Sequence, residues 1–330
     1  MPANLTPQYQ RLEEQYRRAH TVQERAELLE EMLTTIPKHK GTEKLQADLK
    51  TKLKETKAEL QSEASAPKRA GKSFRYPRQG AGQIVIIGAP NAGKSRILRE
   101  LSKAEPEVAP YPFTTREPLP GMMPWQDVSV QLIDTPPITD AHFEPYLLNL
   151  VRAADAIVLA FDGSSDDAPD QTAEVLKQFA SRKTLLSDVT GFDEEDFSII
   201  RVKTLLVATR GDDPSCEDRL AFFREMTETN FPMLKAELEQ STSIESLRDA
   251  IFQLLGVIRL YTKKPGKPAD HSSPFVIKSG GTVEDLAAVV HRDLVETVKF
   301  AKVWGSSAHD GQSVGREHVL HDKDLVELHA

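Results

Sequence analysis

Eight consecutive residues have the types and spacing to hold a phosphate. Gly88-Ala-Pro-Asn-Ala-Gly93-Lys94-Ser95 follows a short apolar run, Ile84–Ile87, and opens a helical stretch, Arg96–Lys103. A glycine turn between strand and helix can be only a turn. This one also fits G-x-x-x-x-G-K-[ST], in which backbone N–H groups at the positive end of a helix cradle phosphate oxygens. Lys94 then reaches the β- and γ-phosphates of a nucleotide, and Ser95 offers its hydroxyl to Mg²⁺. Pro90, Asn91, Ala92, Gly93 and Arg96 complete the lining. Asp134 ends a second apolar run, Val128–Ile133, and precedes Thr135-Pro136-Pro137. A carboxylate at the carboxyl end of a neighbouring strand stands where a second metal-holding group belongs.

These side chains need a scaffold, and the chain supplies one. Apolar runs Ile84–Ile87, Val128–Ile133, Ala156–Phe161 and Thr204–Ala208 alternate with helical stretches. Short, fully apolar strands between helices imply a mostly parallel sheet covered on both faces, an α/β fold. Beyond Leu255 the texture changes. Ile258–Tyr261, Pro274–Ile277, Lys299–Trp304 and Leu325–Leu328 read as strands and Thr282–Leu294 as one helix, a small α+β domain.

Ahead of the α/β part, Tyr9, Leu12, Tyr16, Ala19, Ala26, Leu29, Leu33 and Ile36 form one apolar stripe that ends at Pro37. Leu45, Leu49, Leu53 and Leu60 form another, so a helical hairpin is expected. The boundaries predicted are a hairpin over 1–62, a basic linker over 63–82, the α/β domain over 83–255 and the small domain over 256–330.

Composition narrows the function classes. Of 330 residues, 39% are hydrophobic, slightly below the globular norm, so part of the chain is expected to be a polar appendage. The single cysteine, Cys216, excludes an intramolecular disulfide and a cysteine-rich metal site. No apolar run is long enough to span a membrane. The net charge of −8 argues against a uniformly basic nucleic-acid binder. Yet Lys38–Arg78 holds 12 Lys and Arg against 5 Asp and Glu, which leaves −15 for the remainder. That basic arm can be a solvated hairpin packed on the next domain or a contact for RNA phosphates.

Gly88–Ser95, Tyr111-Pro-Phe-Thr-Thr115 and Asp134-Thr-Pro together resemble the Obg-type P-loop GTPases, and most closely the developmentally regulated GTP-binding (DRG) proteins. The resemblance implies GTP or GDP with Mg²⁺. It makes Thr115, rather than Thr114, a switch I contact to Mg²⁺ and the γ-phosphate, so that Lys94 and Thr115 serve catalysis and Ser95, Thr115 and Asp134 hold the metal. It also gives Asn91 a part in a K⁺ site.

Ile258–Gly266, Gly281–Leu286, His291–Leu294, Ala301–Ser307, Val314–Val319 and Asp322–Leu328 resemble a TGS domain, a ubiquitin-like β-grasp module. Ile36–Glu43 is similar to the same relatives. The implied partner is the ribosome or an RNA, met through the basic arm and the TGS domain, with no membrane and no DNA sequence specificity. The implied location is the cytoplasm.

Several positions depart from the family pattern. Thr209-Arg210-Gly211-Asp212 stands where Asn-Lys-x-Asp reads guanine. Asp212 is retained, and Thr209 and Arg210 are altered, an exchange that is not geometrically neutral for the Arg. The Ser-Ala element that supports the base is absent ahead of Ile244–Leu247, where Gln240–Ser243 is a substitute. Pro137 replaces a glycine whose N–H meets the γ-phosphate, and proline has none. Ile138 fills the slot of a water-positioning residue, and Ile138–Leu148 lacks glycine. Slow GTP hydrolysis is expected; a nucleotide-binding scaffold with little turnover is the alternative, and an ATPase a distant third. Elsewhere, Asp166, Asp167 and Asp170 read as a solvated helix start, His318 and His321 lack a third metal ligand, and Trp304 reads as core filler in preference to a ring that stacks a base.

Overall fold

The computed structural model describes residues 6–19, 21–37, 42–65, 74, 76–102, 117–141, 143–193 and 196–329. The chain divides into two compact units. One comprises Met1–Pro77, Gln83–Gly121 and Leu132–Ile244; the other comprises Arg78–Gly82, Met122–Gln131 and Glu245–Ala330.

In chain order the elements are α1 (Pro7–Arg18), α2 (Val22–Thr35), α3 (Glu43–Ser65), β1 (Gln83–Gly88), α4 (Lys94–Leu101), β2 (Leu119–Trp125), β3 (Val128–Asp134), α5 (Pro145–Ala153), β4 (Ala156–Asp162), α6 (Ala168–Ala180), β5 (Thr184–Ser187), β6 (Gly191–Phe192) and β7 (Ile200–Thr209). There follow α7 (Cys216–Thr227), β8 (Met233–Ala236), α8 (Ser241–Leu255), β9 (Val257–Thr262), β10 (Asp270–Lys278), α9 (Val283–Val290), α10 (Arg292–Thr297), β11 (Phe300–Trp304), β12 (Gln312–Val314) and β13 (Leu325–His329).

The larger sheet has the order β2-β3-β1-β4-β7-β5, with β6 and β8 also paired to β7. The β1–β4, β4–β7, β5–β7 and β7–β8 pairs are parallel, and β6–β7 is antiparallel. The expected α/β class is what forms. Every residue of β1 is buried, as strands covered on both faces require. Val85, Ile87, Leu159, Phe161, Leu206 and Ala208 join Phe179, Phe223 and Phe231 in one core. The parallel order brings the carboxyl ends of β3, β1, β4 and β7 to one edge. Gly88, Asp134, Asp162 and Thr209 stand there, at the crevice where such sheets bind ligands.

The N-terminal segment is three helices rather than the expected two. Thr21 accepts from Glu24 N–H while the Glu24 side chain accepts from Thr21 N–H, a capping box that starts α2 anew. The stripe itself is real, since Tyr9, Leu12, Tyr16, Leu29, Met32, Ile36, Leu45 and Leu49 form one small core. These helices also bind the sheet. Glu13 accepts from Phe192 N–H at 2.8 Å, and Lys52 donates to the Phe197 carbonyl at 2.9 Å. Lys52 lies over the Phe192 and Tyr16 rings, and burial holds its pKa down to about 8. One lysine of the basic run is thus spent on packing, while Lys50 and Lys54 stay exposed. Residues 38–41, 66–73 and 75 of that run lie outside the described residues.

The second sheet has the order β10-β9-β13-β11-β12, as a β-grasp module requires. Leu260, Ala301, Val303 and Val326 pack with Val283 and Leu286 of α9. The expected helix over Thr282–Leu294 is broken at His291, whose extended backbone separates α9 from α10. Trp304 is not core filler. It sits on the opposite face of the sheet, with Lys263 Nζ 4.0 Å from its ring centroid. Arg259, 2% exposed, is the large buried charge of this unit. It pairs with Asp322 and Asp127 at 2.6 Å each and lies over the Trp125 and Phe252 rings.

Asp155 ties the N-terminal helices to the sheet edge. It accepts from Gln83 N–H at 2.8 Å and from Arg18 at 2.9 Å. Asp155→Ala removes an acceptor of Gln83 N–H and one of the carboxylates that Arg18 meets, while Arg18 keeps its pairing with Glu14, at about 1.5–3 kcal/mol for a lost hydrogen bond to a charged group. A urea denaturation midpoint is expected to fall accordingly, and limited proteolysis to cut ahead of residue 66 sooner than in the wild type.

Candidate nucleotide site

The phosphate loop is built by two strained glycines and one buried cation. Gly88 ends β1 at φ 153°, and a Cβ there would meet the Ala160 carbonyl oxygen at 2.7 Å. Gly93 precedes α4 at φ 88°, and a Cβ there would meet Thr209 Cγ2 at 2.8 Å. Between them Asn91 also takes a left-handed conformation. Lys94 begins α4 and is 7% exposed. Its ammonium donates to the carbonyls of Gly88 at 3.1 Å and Ala89 at 2.8 Å. Burial lowers its pKa to about 8, and the Asp134 carboxylate acts in the opposite direction. A desolvated cation held at a ring of backbone amides is a site for an anion.

The metal candidates meet. Ser95 Oγ donates to Asp134 Oδ2 at 2.5 Å, and Asp134 is fully buried. A hydroxyl and a carboxylate are hard oxygen donors. They suit Mg²⁺, which takes one or two protein oxygens and fills its octahedron with phosphate and water. Among the described residues no group of three or more His, Cys, Asp and Glu could hold a metal, so a cage of protein ligands is not what this site offers. Thr114 and Thr115 lie outside the described residues.

Behind Asp134 the chain is locked. Thr135 is fully buried and donates to the Ile86 carbonyl at 2.8 Å. Pro136 and Pro137 are buried and carry no N–H. Ile138, 1% exposed, donates its N–H to the Gly88 carbonyl at 3.2 Å.

A cleft of about 560 Å³ opens beside the loop, lined among others by Arg96, Arg210, Asp212, Pro214 and Leu238. Thr209 is 2% exposed, and its hydroxyl lies 3.1 Å from the Ala92 carbonyl and 3.2 Å from that of Phe161. It braces the phosphate loop against β4 and β7. Arg210 pairs with Asp162 at 2.6 Å and reaches the Asn91 carbonyl at 3.5 Å. Asp212 is exposed, and its carboxylate makes no hydrogen bond or ion pair among the described residues. Its neighbour Asp213 pairs with Arg219 at 2.7 Å, and Arg219 also binds Asp166 at 2.8 Å and the Gly163 carbonyl at 2.6 Å. Asp166 is the exposed, solvated residue expected ahead of α6, and it also meets Arg219.

The loop that closes the far side of the cleft is Glu237–Gln240, just after β8. Gln240 borders the cleft, but Ser241–Ser243 belong to α8, and Ser243 Oγ accepts from Glu237 N–H at 2.9 Å. Glu239 pairs with Arg96 at 2.8 Å across the mouth. Sequence reading missed β8 because a four-residue strand has no periodicity to detect; the apolar Phe231–Leu234 beside the cleft was its only trace. His318 and His321 each face a serine hydroxyl, Ser307 at 3.3 Å and Ser306 at 3.2 Å.

A family profile described as "50S ribosome-binding GTPase" matches residues 83–190, and a TGS domain profile matches 258–330. The first covers β1, the phosphate loop and Asp134; Thr209–Asp212 and Glu237–Gln240 lie beyond its end. The chain belongs to the P-loop GTPases that carry a C-terminal TGS domain. Its relatives include a GTP-binding protein of Methanocaldococcus jannaschii, 26% identical over 93% of this chain and 92% of that protein. Developmentally-regulated G-protein 1 of Arabidopsis thaliana is 25% identical over 92% of this chain and 90% of that protein. The YchF GTPase of Schizosaccharomyces pombe superposes with a TM-score of 0.53 at 11% identity over 78% of this chain and all of that one, a likeness of fold. The DRG-like, Obg-type resemblance read from the motifs thus holds for this GTPase, which is a GTP-binding protein. No helix among its described residues is long and apolar enough to cross a membrane.

The low pKa of Lys94 gives this GTPase a pH signature. Below about pH 8 the ammonium is charged, and bound phosphates raise its pKa further. Above pH 8 binding must therefore take up a proton. GDP affinity is expected to fall as pH rises, by up to about ten-fold per unit. Titration calorimetry from pH 7 to 9.5 should show that excess slope in the wild type and not in Lys94→Ala; parallel slopes would contradict it.

Proposed function

We propose that the protein binds GTP and GDP with Mg²⁺ and hydrolyses GTP slowly, in the cytoplasm, on or near the ribosome or another RNA. The observation that carries the nucleotide chemistry is the meeting of Lys94, Ser95 and Asp134 at the phosphate loop, whose Gly93 lines the cleft that Asp212 borders. Lys94 and the amides of Pro90–Ser95, proline excepted, hold the phosphates. Ser95 and Asp134 would hold Mg²⁺, with Thr115 added in the role its family resemblance gives it. The ion, when bound, neutralises phosphate charge. Asp212 accepts from guanine N1 and N2, Arg210 lies along the base, and Thr209 fixes the loop rather than the ring.

A second reading, a scaffold that holds nucleotide with little turnover, is favoured by one feature. Pro136 and Pro137 have no N–H, and that of Ile138 is engaged with Gly88. Pro136–Ile138 then offer no free amide to a γ-phosphate. Rapid hydrolysis would need a group from elsewhere, and Asn91 is the residue through which K⁺ would act.

The deciding experiment measures affinity for GTP, GDP and ATP, and turnover in K⁺ and Na⁺, for the wild type, Lys94→Ala and Asp212→Asn. Turnover on the order of 10⁻⁴ to 10⁻² s⁻¹ is expected, as for P-loop GTPases acting alone. Lys94→Ala should weaken both guanine nucleotides by roughly 10- to 100-fold. Asp212→Asn should weaken GTP and favour a xanthine nucleotide, which presents a carbonyl where guanine presents an amino group. Tight binding without turnover would establish the scaffold reading, and ATP binding equal to GTP would remove Asp212 as a base reader. Equal rates in K⁺ and Na⁺ would remove Asn91 from a cation site. Co-sedimentation with ribosomes that weakens as salt rises would support the RNA partner.

A further inference from the structure

The sheet of the TGS unit has a core face and an outer face. Ala301, Val303 and Val326 point to the core. Their neighbours along β11 and β13 point the other way, and the strand register sets them in rows. Phe300 is opposite His329, Lys302 opposite Glu327, and Trp304 opposite Leu325. The β9 side of this outer face is covered, because Arg259 and Tyr261 are engaged with Asp127. The β11 side is open. Phe300 is 37% exposed, an unusual position for a phenylalanine in mid-sheet, since β11 lies between β13 and β12.

The open half is already stacked. The Phe300 and His329 rings lie parallel within 10°, their centroids 4.4 Å apart. His329 Nε2 donates to Glu327 Oε1 at 2.7 Å, and Lys263 Nζ pairs with Glu327 Oε2 at 3.0 Å. Glu327 is 5% exposed, and the Lys263 hydrogen bond keeps its carboxyl below the usual range, so it stays ionised and holds both partners. Lys263 in turn caps Trp304. Lys302 stands on β11 two residues from Phe300, Lys299 precedes that strand with its N–H on the His329 carbonyl, and Lys263 follows β9. On a chain of net charge −8, a lysine-rimmed aromatic face is a local reversal of sign.

We propose that this face binds single-stranded RNA, with an unpaired base extending the Phe300–His329 stack and neighbouring phosphates meeting Lys302 and Lys299. The proposal rests on the RNA partner named above and gives it a place. Ring stacking needs a flat, exposed π-face whose orientation is already fixed, and base stacking on such a face tolerates any base. Duplex RNA hides its bases, so the face discriminates by strandedness. The lysines supply the salt-dependent part of the affinity.

The test uses the full chain, a fluorescein-labelled 12-nucleotide RNA of mixed sequence, the same RNA as a duplex, and ribosomes. The wild type is expected to bind the single strand more tightly than the duplex. Phe300→Ala should weaken single-strand binding about ten-fold, the usual loss for one stacked base. Phe300→Trp should restore it, and GDP affinity and melting temperature should stay at wild-type values in both, as controls for folding. Unchanged binding by Phe300→Ala, or equal affinity for duplex, overturns the platform. If the wild type sediments with ribosomes but ignores the oligonucleotide, the platform falls and the ribosome reading stands. If it binds neither, both fall. Capture of a protein by this face, undisturbed by competing RNA, also overturns the proposal.

Discussion

The structure of the nucleotide site depends on one buried cation. Lys94 is desolvated enough to lose its proton near pH 8, and three things keep it where it is. Two carbonyls of its own loop accept its ammonium, and the Asp134 carboxylate lies close enough to favour the charged form. That arrangement forces the backbone around it. Gly88 and Gly93 take conformations that side chains disfavour, and each would collide with a neighbouring strand if it had a Cβ. The parallel order of β3, β1, β4 and β7 is what brings Asp134, the loop and Thr209 to the same edge.

From that point the site divides into a part that holds and a part that senses. The holding part is well braced. Thr209 ties the phosphate loop to β4 and β7, Arg219 ties the Asp212 loop to the start of α6, and Arg96 with Glu239 spans the cleft mouth. The sensing part is curtailed. A segment that reports on a γ-phosphate must offer an N–H and be free to move, and here Pro136, Pro137 and Ile138 are buried and the one amide among them is taken. A protein so built is expected to gain nucleotide affinity from charge and geometry, with no help from Pro136–Ile138 in responding to the third phosphate.

Much of this was legible in the sequence because the motifs are local. The phosphate loop and Asp134 follow from local spacing, Asp212 from the family resemblance, and four of the five strands of the second sheet from apolar runs, β12 having none. The failures share a cause, which is that the decisive contact is remote in sequence or the element is short. The Glu237–Gln240 loop follows a strand too brief to show a period. Thr209 read as a substituted base contact, but its hydroxyl faces carbonyls of residues 92 and 161. Trp304 read as core because aromatic residues usually are, yet strand alternation puts it with Phe300 and Lys302 on the outer face. The break between α1 and α2 was readable in Thr21-x-x-Glu24, a capping box inside what otherwise reads as one stripe.

The central claim is that this GTPase holds guanine nucleotide firmly and senses its third phosphate weakly. The direct measurement is the ratio of GTP to GDP affinity in the presence of Mg²⁺, by titration of the wild type and of Pro137→Gly. A single charge-assisted hydrogen bond is worth about 1.5–3 kcal/mol, roughly 10- to 100-fold. The wild type should bind the two nucleotides within a few-fold of each other, and Pro137→Gly should shift the ratio toward GTP. A wild-type preference for GTP of ten-fold or more, unchanged by Pro137→Gly, would contradict the account.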